Sequence, residues 1–246
     1  MTDRGSLEAA VRNEPEGFED RIDEIHERLA SADPHASADA GRTFRAVAEE
    51  RPALLETHRE TLVDLLSADN GSLRLSGAFG LAGLAEPAPK TVVNAIPELV
   101  ALLERTDAPA VQMAILRALS RTGERTPEAV AVADGAIADL LRTATPRIRL
   151  AVLTVFATVP IRAPTAFPAT VNAAEDALAD DSRRVRRCGA ALLALIARSD
   201  PAALSSVADV RERVETLRTR RNAQPWHADD TLERAARTLR AIDTRR

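Results

Sequence analysis

The chain has 246 residues, 45% of them hydrophobic, with a formal charge of −4; that is enough apolar material for one large folded domain or two small ones. Aromatics make up only 2%, with one Trp and no Tyr, and Ala and Leu lead the apolar set, which argues against a sheet protein and for closely packed helices. The single cysteine, Cys188, excludes an internal disulfide framework and a cysteine-built zinc site, and is expected to be a small buried helix residue.

The chain opens without a basic stretch followed by an apolar run, so no signal peptide is expected. No apolar stretch approaches a membrane span, and a cytoplasmic setting is the expectation. Residues 1–15 hold a possible short helix, Ser6 to Val11, ahead of Asn13-Glu14-Pro15, expected to act as a loosely packed cap. From residue 16 one leucine-containing pattern recurs. Its anchors are Leu29, Leu66, Leu103, Leu141, Leu178 and Leu217, separated by 37, 37, 38, 37 and 39 residues. Intervals so nearly equal are the mark of a structural repeat.

Each anchor is expected to end one helix. A short polar turn follows, then a second apolar helix. Four second helices align without gaps, opening at Leu73, Val111, Ile148 and Val185. Apolar residues fall at the first, fifth or sixth and ninth positions of each, which is helical spacing. The small residues Gly77, Ala114, Ala151 and Gly189 are expected to let neighbouring helices approach closely. The first helices carry the same period, as in Val93, Ile96, Leu99, Val100 and Leu103, and Pro52, Pro127 and Pro201 sit near first turns. The expected repeats are roughly 16–51, 52–87, 88–124, 125–160, 165–199 and 201–243, in a single repeat domain over 16–246. Neither helix of a pair buries its apolar face alone, so the pairs must stack. The segment Val159–Pro168 holds three prolines and reads as an inter-repeat loop, or else as a change of superhelical direction or a projecting loop that touches a partner. The last pair, about 205–219 and 230–243, has its acidic helix start at Asp230-Thr-Leu-Glu233.

The period, the two-helix unit, the turn Asp and the Val-Arg or Ile-Arg opening the second helix resemble HEAT repeats, over residues 16 to 242. The resemblance implies an all-α, right-handed superhelix (α-solenoid) of about six helical hairpins. It also implies a ladder in which the turn Asp and the following Arg link adjacent repeats. Asp69 with Arg74 and Asp181 with Arg186 match that pattern. Asp107 keeps the acid but Gln112 replaces the arginine, and Thr145 stands where an acid would precede Arg149, so the ladder is expected to be incomplete in the middle.

Catalysis needs a nucleophile, a base or a metal held within reach of one another. The histidines are His26, His35, His58 and His227, and the one His-Glu pair, His26-Glu27, falls short of the ligand set of helical-repeat di-iron hydroxylases. DNA glycosylases of similar architecture use aromatics along a basic groove, and Trp226 alone is offered here. Gly77-Ala-Phe-Gly80-Leu-Ala-Gly83 reads as helix contact, not as a phosphate loop. The expectation is a non-enzymatic scaffold that needs no cofactor or metal.

Charge is uneven. Residues 1–123 hold 21 acidic and 13 basic side chains, net −8; residues 124–246 hold 16 and 20, net +4. Three readings compete for the basic end: solvated faces, docking of an acidic protein segment, and nucleic-acid association. The last is the weakest, because the chain is net acidic and lacks stacking aromatics. The resemblance implies a protein partner on the second helices, with Arg184, Arg187, Arg221 and Trp226 as candidate contacts.

Overall fold

The computed structural model describes residues 7–219 and 230–243, and every regular element among them is helical. The described chain divides into two compact units, Met1–Thr122 and Gly123–Arg246.

Unit 1 opens with α1 (Leu7–Asn13), a 3-10 turn, α2 (Ile22–Leu29) and α3 (Pro34–Glu50). A second 3-10 turn leads into α4 (Arg59–Ser67) and α5 (Gly71–Leu84). Next come α6 (Pro89–Asn94), α7 (Ile96–Arg105) and α8 (Pro109–Gly123). Unit 2 holds α9 (Pro127–Val130), α10 (Asp134–Thr143), α11 (Pro146–Val152) and α12 (Thr158–Arg162). It closes with α13 (Pro168–Asp176), α14 (Arg183–Ser199), α15 (Val207–Thr219) and α16 (Asp230–Asp243).

Proline opens many of these helices because its missing N–H would have no partner in a first turn and its φ is already helical. Short side chains cap others. Asn70 accepts from the Ser72 N–H at 2.8 Å, and Asp33 from the His35 N–H at 2.9 Å. The first helix of a repeat is often broken: α6 ends at Asn94 and α7 restarts at Ile96. Val92, Ile96, Leu99 and Leu103 are buried at helical spacing across the break, and Val93 is half-buried at the margin of that face.

The four inner anchors, Leu66, Leu103, Leu141 and Leu178, are buried, while the outer two, Leu29 and Leu217, are half-buried, as residues of terminal repeats are. The openings of the second helices, Leu73, Val111, Ile148 and Val185, are all buried. At Gly77 an added Cβ would lie 2.6 Å from the Leu62 carbonyl oxygen, so only glycine lets α5 rest on α4 this closely.

Three expectations change. The N-terminal helix is docked: Leu7 and Val11 are buried, and Arg12 pairs with Glu49 at 3.0 Å. The proline-rich segment after α11 is not a projecting loop. Thr158–Arg162 is helical, with Pro160 in its first turn, where no intrahelical N–H is lost. Val159, Pro160, Pro164 and Phe167 are buried, and Phe167 meets Phe156 edge-on at 5.7 Å. Cys188 is half-buried on α14 rather than buried.

Candidate functional site

The turn between the helices of a hairpin needs its carbonyls satisfied, because the last carbonyls of a helix have no intrahelical partner. One register position does this in four repeats. Arg74 donates to the carbonyls of Ala68 and Asp69 at 3.2 and 3.4 Å, and Gln112 to Thr106 at 2.9 Å. Arg149 donates to Ala144 at 2.7 Å, and Arg186 to Asp180 and Asp181 at 2.5 and 3.0 Å. The arginines of the expected ladder thus hold backbone carbonyls of their own hairpins, and Gln112 does the same work from a shorter side chain. A carboxylate link between neighbouring repeats occurs at Arg149, whose guanidinium lies 2.8 Å from Asp180. Asp180, rather than Asp181, supplies that acid. Asp69, Asp107 and Asp181 are exposed.

Three buried acids perform a second task, reaching from one segment to the helix start of another. Asp134 of α10 accepts the backbone N–H groups of Ala169 and Thr170, both at 2.8 Å, in the first turn of α13. Glu175 of α13 accepts the N–H of Ser205 at 2.9 Å, and its hydroxyl, just before α15. Asp39 of α3 accepts the N–H of Leu7, the first residue of α1, at 3.0 Å. A carboxylate is favoured there by the unpaired N–H groups and the positive end of the helix dipole.

Among the described residues no group of three or more His, Cys, Asp or Glu is placed to hold a metal ion. His58 lies edge-on to Phe18 at 5.3 Å and reaches Glu19 at 3.2 Å, with His26 6.1 Å away ring to ring.

Two grooves lie where the C-terminal ends of second helices meet. In unit 1, a cavity of about 370 Å³ is floored by Ala48, Phe79, Ala82 and Gly83, with Pro52 and Pro87 at its edge. Small residues make it: an added Cβ on Gly83 would lie 3.0 Å from the Cβ of Ala48, so the helices touch there and leave space above. Its rim carries Glu49, Glu86, Arg117 and Arg121. Arg121 donates to the Ala82 carbonyl at 2.8 Å, near the C-terminus of α5, where a cation suits the dipole. The hydrogen bond with Glu49 holds the Arg12 guanidinium above its ordinary pKa. Of the five phenylalanines, Phe79 alone is not fully buried. In unit 2, a cavity of about 500 Å³ lies between the ends of α14 and α16, lined by Ala197, Pro201, Thr238, Ala241 and Ile242, with Arg198 and Arg237 beside it.

Residues 59–140 match the family model for HEAT repeats. Two crystal structures of engineered proteins from the Northeast Structural Genomics Consortium superpose with TM-scores of 0.70 and 0.69, at 23% and 22% identity. Each covers 91% of this chain and 96% or 98% of the other. A crystal structure of computationally designed armadillo repeat proteins for modular peptide recognition gives 0.67 at 17% identity, covering 89% and 98%. No curated protein matches. This chain has a HEAT/armadillo-like repeat fold.

Within that HEAT/armadillo-like frame the candidate contacts fare differently. Arg184 is exposed in the first turn of α14. Arg187 is half-buried and donates to the Thr231 hydroxyl of α16 at 3.3 Å, so it serves packing inside unit 2. Arg221 and Trp226 lie outside the described residues. The groove residues Phe79, Arg117, Arg198 and Arg237 were not singled out by sequence. Only one signal bore on them: Phe79 is the one aromatic in a second helix that, Arg74 apart, is built of small and aliphatic residues. Among the described residues no helix is long and apolar enough to cross a membrane.

Proposed function

We propose that this HEAT/armadillo-like chain is a non-enzymatic scaffold that binds segments of partner proteins along the C-terminal ends of its second helices. The observation that carries this reading is Phe79. A large apolar ring left part-exposed beside an apolar floor and a charged rim has the make-up of a binding hot spot, where an aromatic anchor sits inside a polar surround. Arg117 and Glu86 flank it, and Arg184 remains a further contact candidate. HEAT/armadillo-like folds commonly serve this role, and the designed armadillo relative is described as made for peptide recognition.

Association with nucleic acid through the basic end is the weaker alternative. Many arginines there are engaged internally: Arg149 with Asp180, Arg218 with Glu215 and Glu233, Arg240 with Glu215, Arg213 with the Glu175 carbonyl. The hydrogen bond to Glu215 raises the Arg218 pKa above its ordinary value.

The test is capture from native lysate with cross-linking, using the full chain and F79A. A specific protein retained by the parent and reduced about tenfold or more by F79A is expected, as for a hot-spot truncation. Nothing specific retained, or the same protein retained equally by both, would overturn the reading.

A further inference from the structure

The two grooves occupy one register of the repeat. Counted from the aligned openings Leu73 and Val185, Glu86 and Arg198 stand at the same position near the end of their helices. Each helix is followed by a proline, Pro87 or Pro201, at the groove edge. The chemistry differs, however. The unit 1 rim mixes two acids with two arginines, whereas the charged residues lining the unit 2 groove are Arg198 and Arg237. Both are exposed, and among the described residues neither has a carboxylate partner. Leu195, one turn before Arg198 on α14, is 36% exposed.

An apolar slot beside two uncompensated guanidinium groups calls for an occupant with a greasy side chain flanked by carboxylates. We infer that the groove between the C-terminal ends of α14 and α16 binds an acidic amphipathic segment of a partner protein. An aliphatic side chain seats against Ala197, Pro201 and Ile242, and Glu or Asp side chains on either flank meet Arg198 and Arg237. Guanidinium groups suit this because they pair with carboxylates through two parallel hydrogen bonds and are weakly hydrated. The inference rests on the scaffold reading and adds the charge class of the segment and the site that reads it.

Fluorescence anisotropy on the full chain tests it with a short labelled peptide in which leucines alternate with glutamates. A matched peptide with lysine for glutamate serves as the control. The acidic peptide should bind and the basic one should not, and binding should weaken as salt rises. R198E/R237E should weaken the acidic peptide about tenfold or more, and R198Q/R237Q less, with helicity and Tm unchanged because both residues are exposed. F79A, in the other unit, should leave this affinity unaltered. An acidic peptide that does not bind, or that binds equally to R198E/R237E, overturns the inference. Either result leaves the scaffold reading standing if the lysate partner still depends on Phe79. Binding of a single-stranded oligonucleotide that is lost in R198E/R237E, with no peptide binding, overturns it in favour of phosphate recognition.

Discussion

Unit 1 and unit 2 use the same backbone device to make a groove and finish it with different side chains. In unit 1 the rim position holds Glu86, and an aromatic, Phe79, stands in the cleft; in unit 2 the equivalent rim position holds Arg198 and the cleft is aliphatic. The repeat therefore fixes where a partner can lie, through small residues and proline-ended helices. The few residues at the rim fix what that partner must carry. The shared part should be costly to alter and the differing part tolerant.

The largest effect is expected at the buried anchors. L103A in unit 1 and L141A in unit 2 should each cost about 2–5 kcal/mol in urea unfolding, the range for a large-to-small change in a packed core. L29A and L217A should cost clearly less, since both leucines are half-buried. If only one of the inner pair is sensitive, the two units are not built on one repeat.

Next comes the buried carboxylate at the start of α13. D134A leaves the Ala169 and Thr170 N–H groups without their acceptor and should destabilise unit 2 by about 2–3 kcal/mol, read from the same unfolding curves. A Tm equal to the parent's would mean that water replaces the carboxylate without loss.

Legibility in the sequence follows the same division. The beat of the leucines located Leu66, Leu103, Leu141 and Leu178 in the core, because burial at a fixed register is a one-dimensional property. The arginines Arg74 and Arg186 stood out for the same reason, yet their acceptors are backbone carbonyls, which no residue identity announces. For Arg149 the sequence pointed to no acid, since Asp180 comes from the next repeat. Val93 proved half-buried, because positions three and four residues before Ile96 both border the apolar face and Val92 takes its centre. The grooves could not be read at all: Ala48 meets Gly83, and Ala197 meets Ala241 and Ile242, only once helices some 35 to 45 residues apart in sequence are set side by side.

A smaller effect separates the units at a position they share. Gly77 and Gly189 occupy one register, but a Cβ at Gly77 would meet the Leu62 carbonyl at 2.6 Å, while one at Gly189 would meet the Ala174 carbonyl at 3.3 Å. G77A should cost about 1–3 kcal/mol from overpacking. G189A should lie near neutral, because alanine gains roughly 0.5–1 kcal/mol over glycine in a helix interior and offsets the tighter contact. Equal costs at the two sites would show that α5 and α14 approach their partners equally closely.

The smallest effect on stability should carry the largest consequence for recognition. E86R and R198E exchange the rim charges of the two grooves, and both residues are exposed, so each should shift unfolding by less than about 0.5 kcal/mol. Affinity for the glutamate–leucine peptide should respond in opposite senses. R198E removes one of the two cations at the unit 2 groove. E86R leaves Arg117, Arg121 and the new arginine facing Glu49, which is already held by Arg12, and so creates a second acidic-segment site. The stoichiometry measured by calorimetry should therefore rise from one peptide per chain toward two in E86R. A stoichiometry that stays at one would show that Phe79 and the narrower cavity exclude the peptide on shape, and that rim charge alone does not decide what each groove accepts.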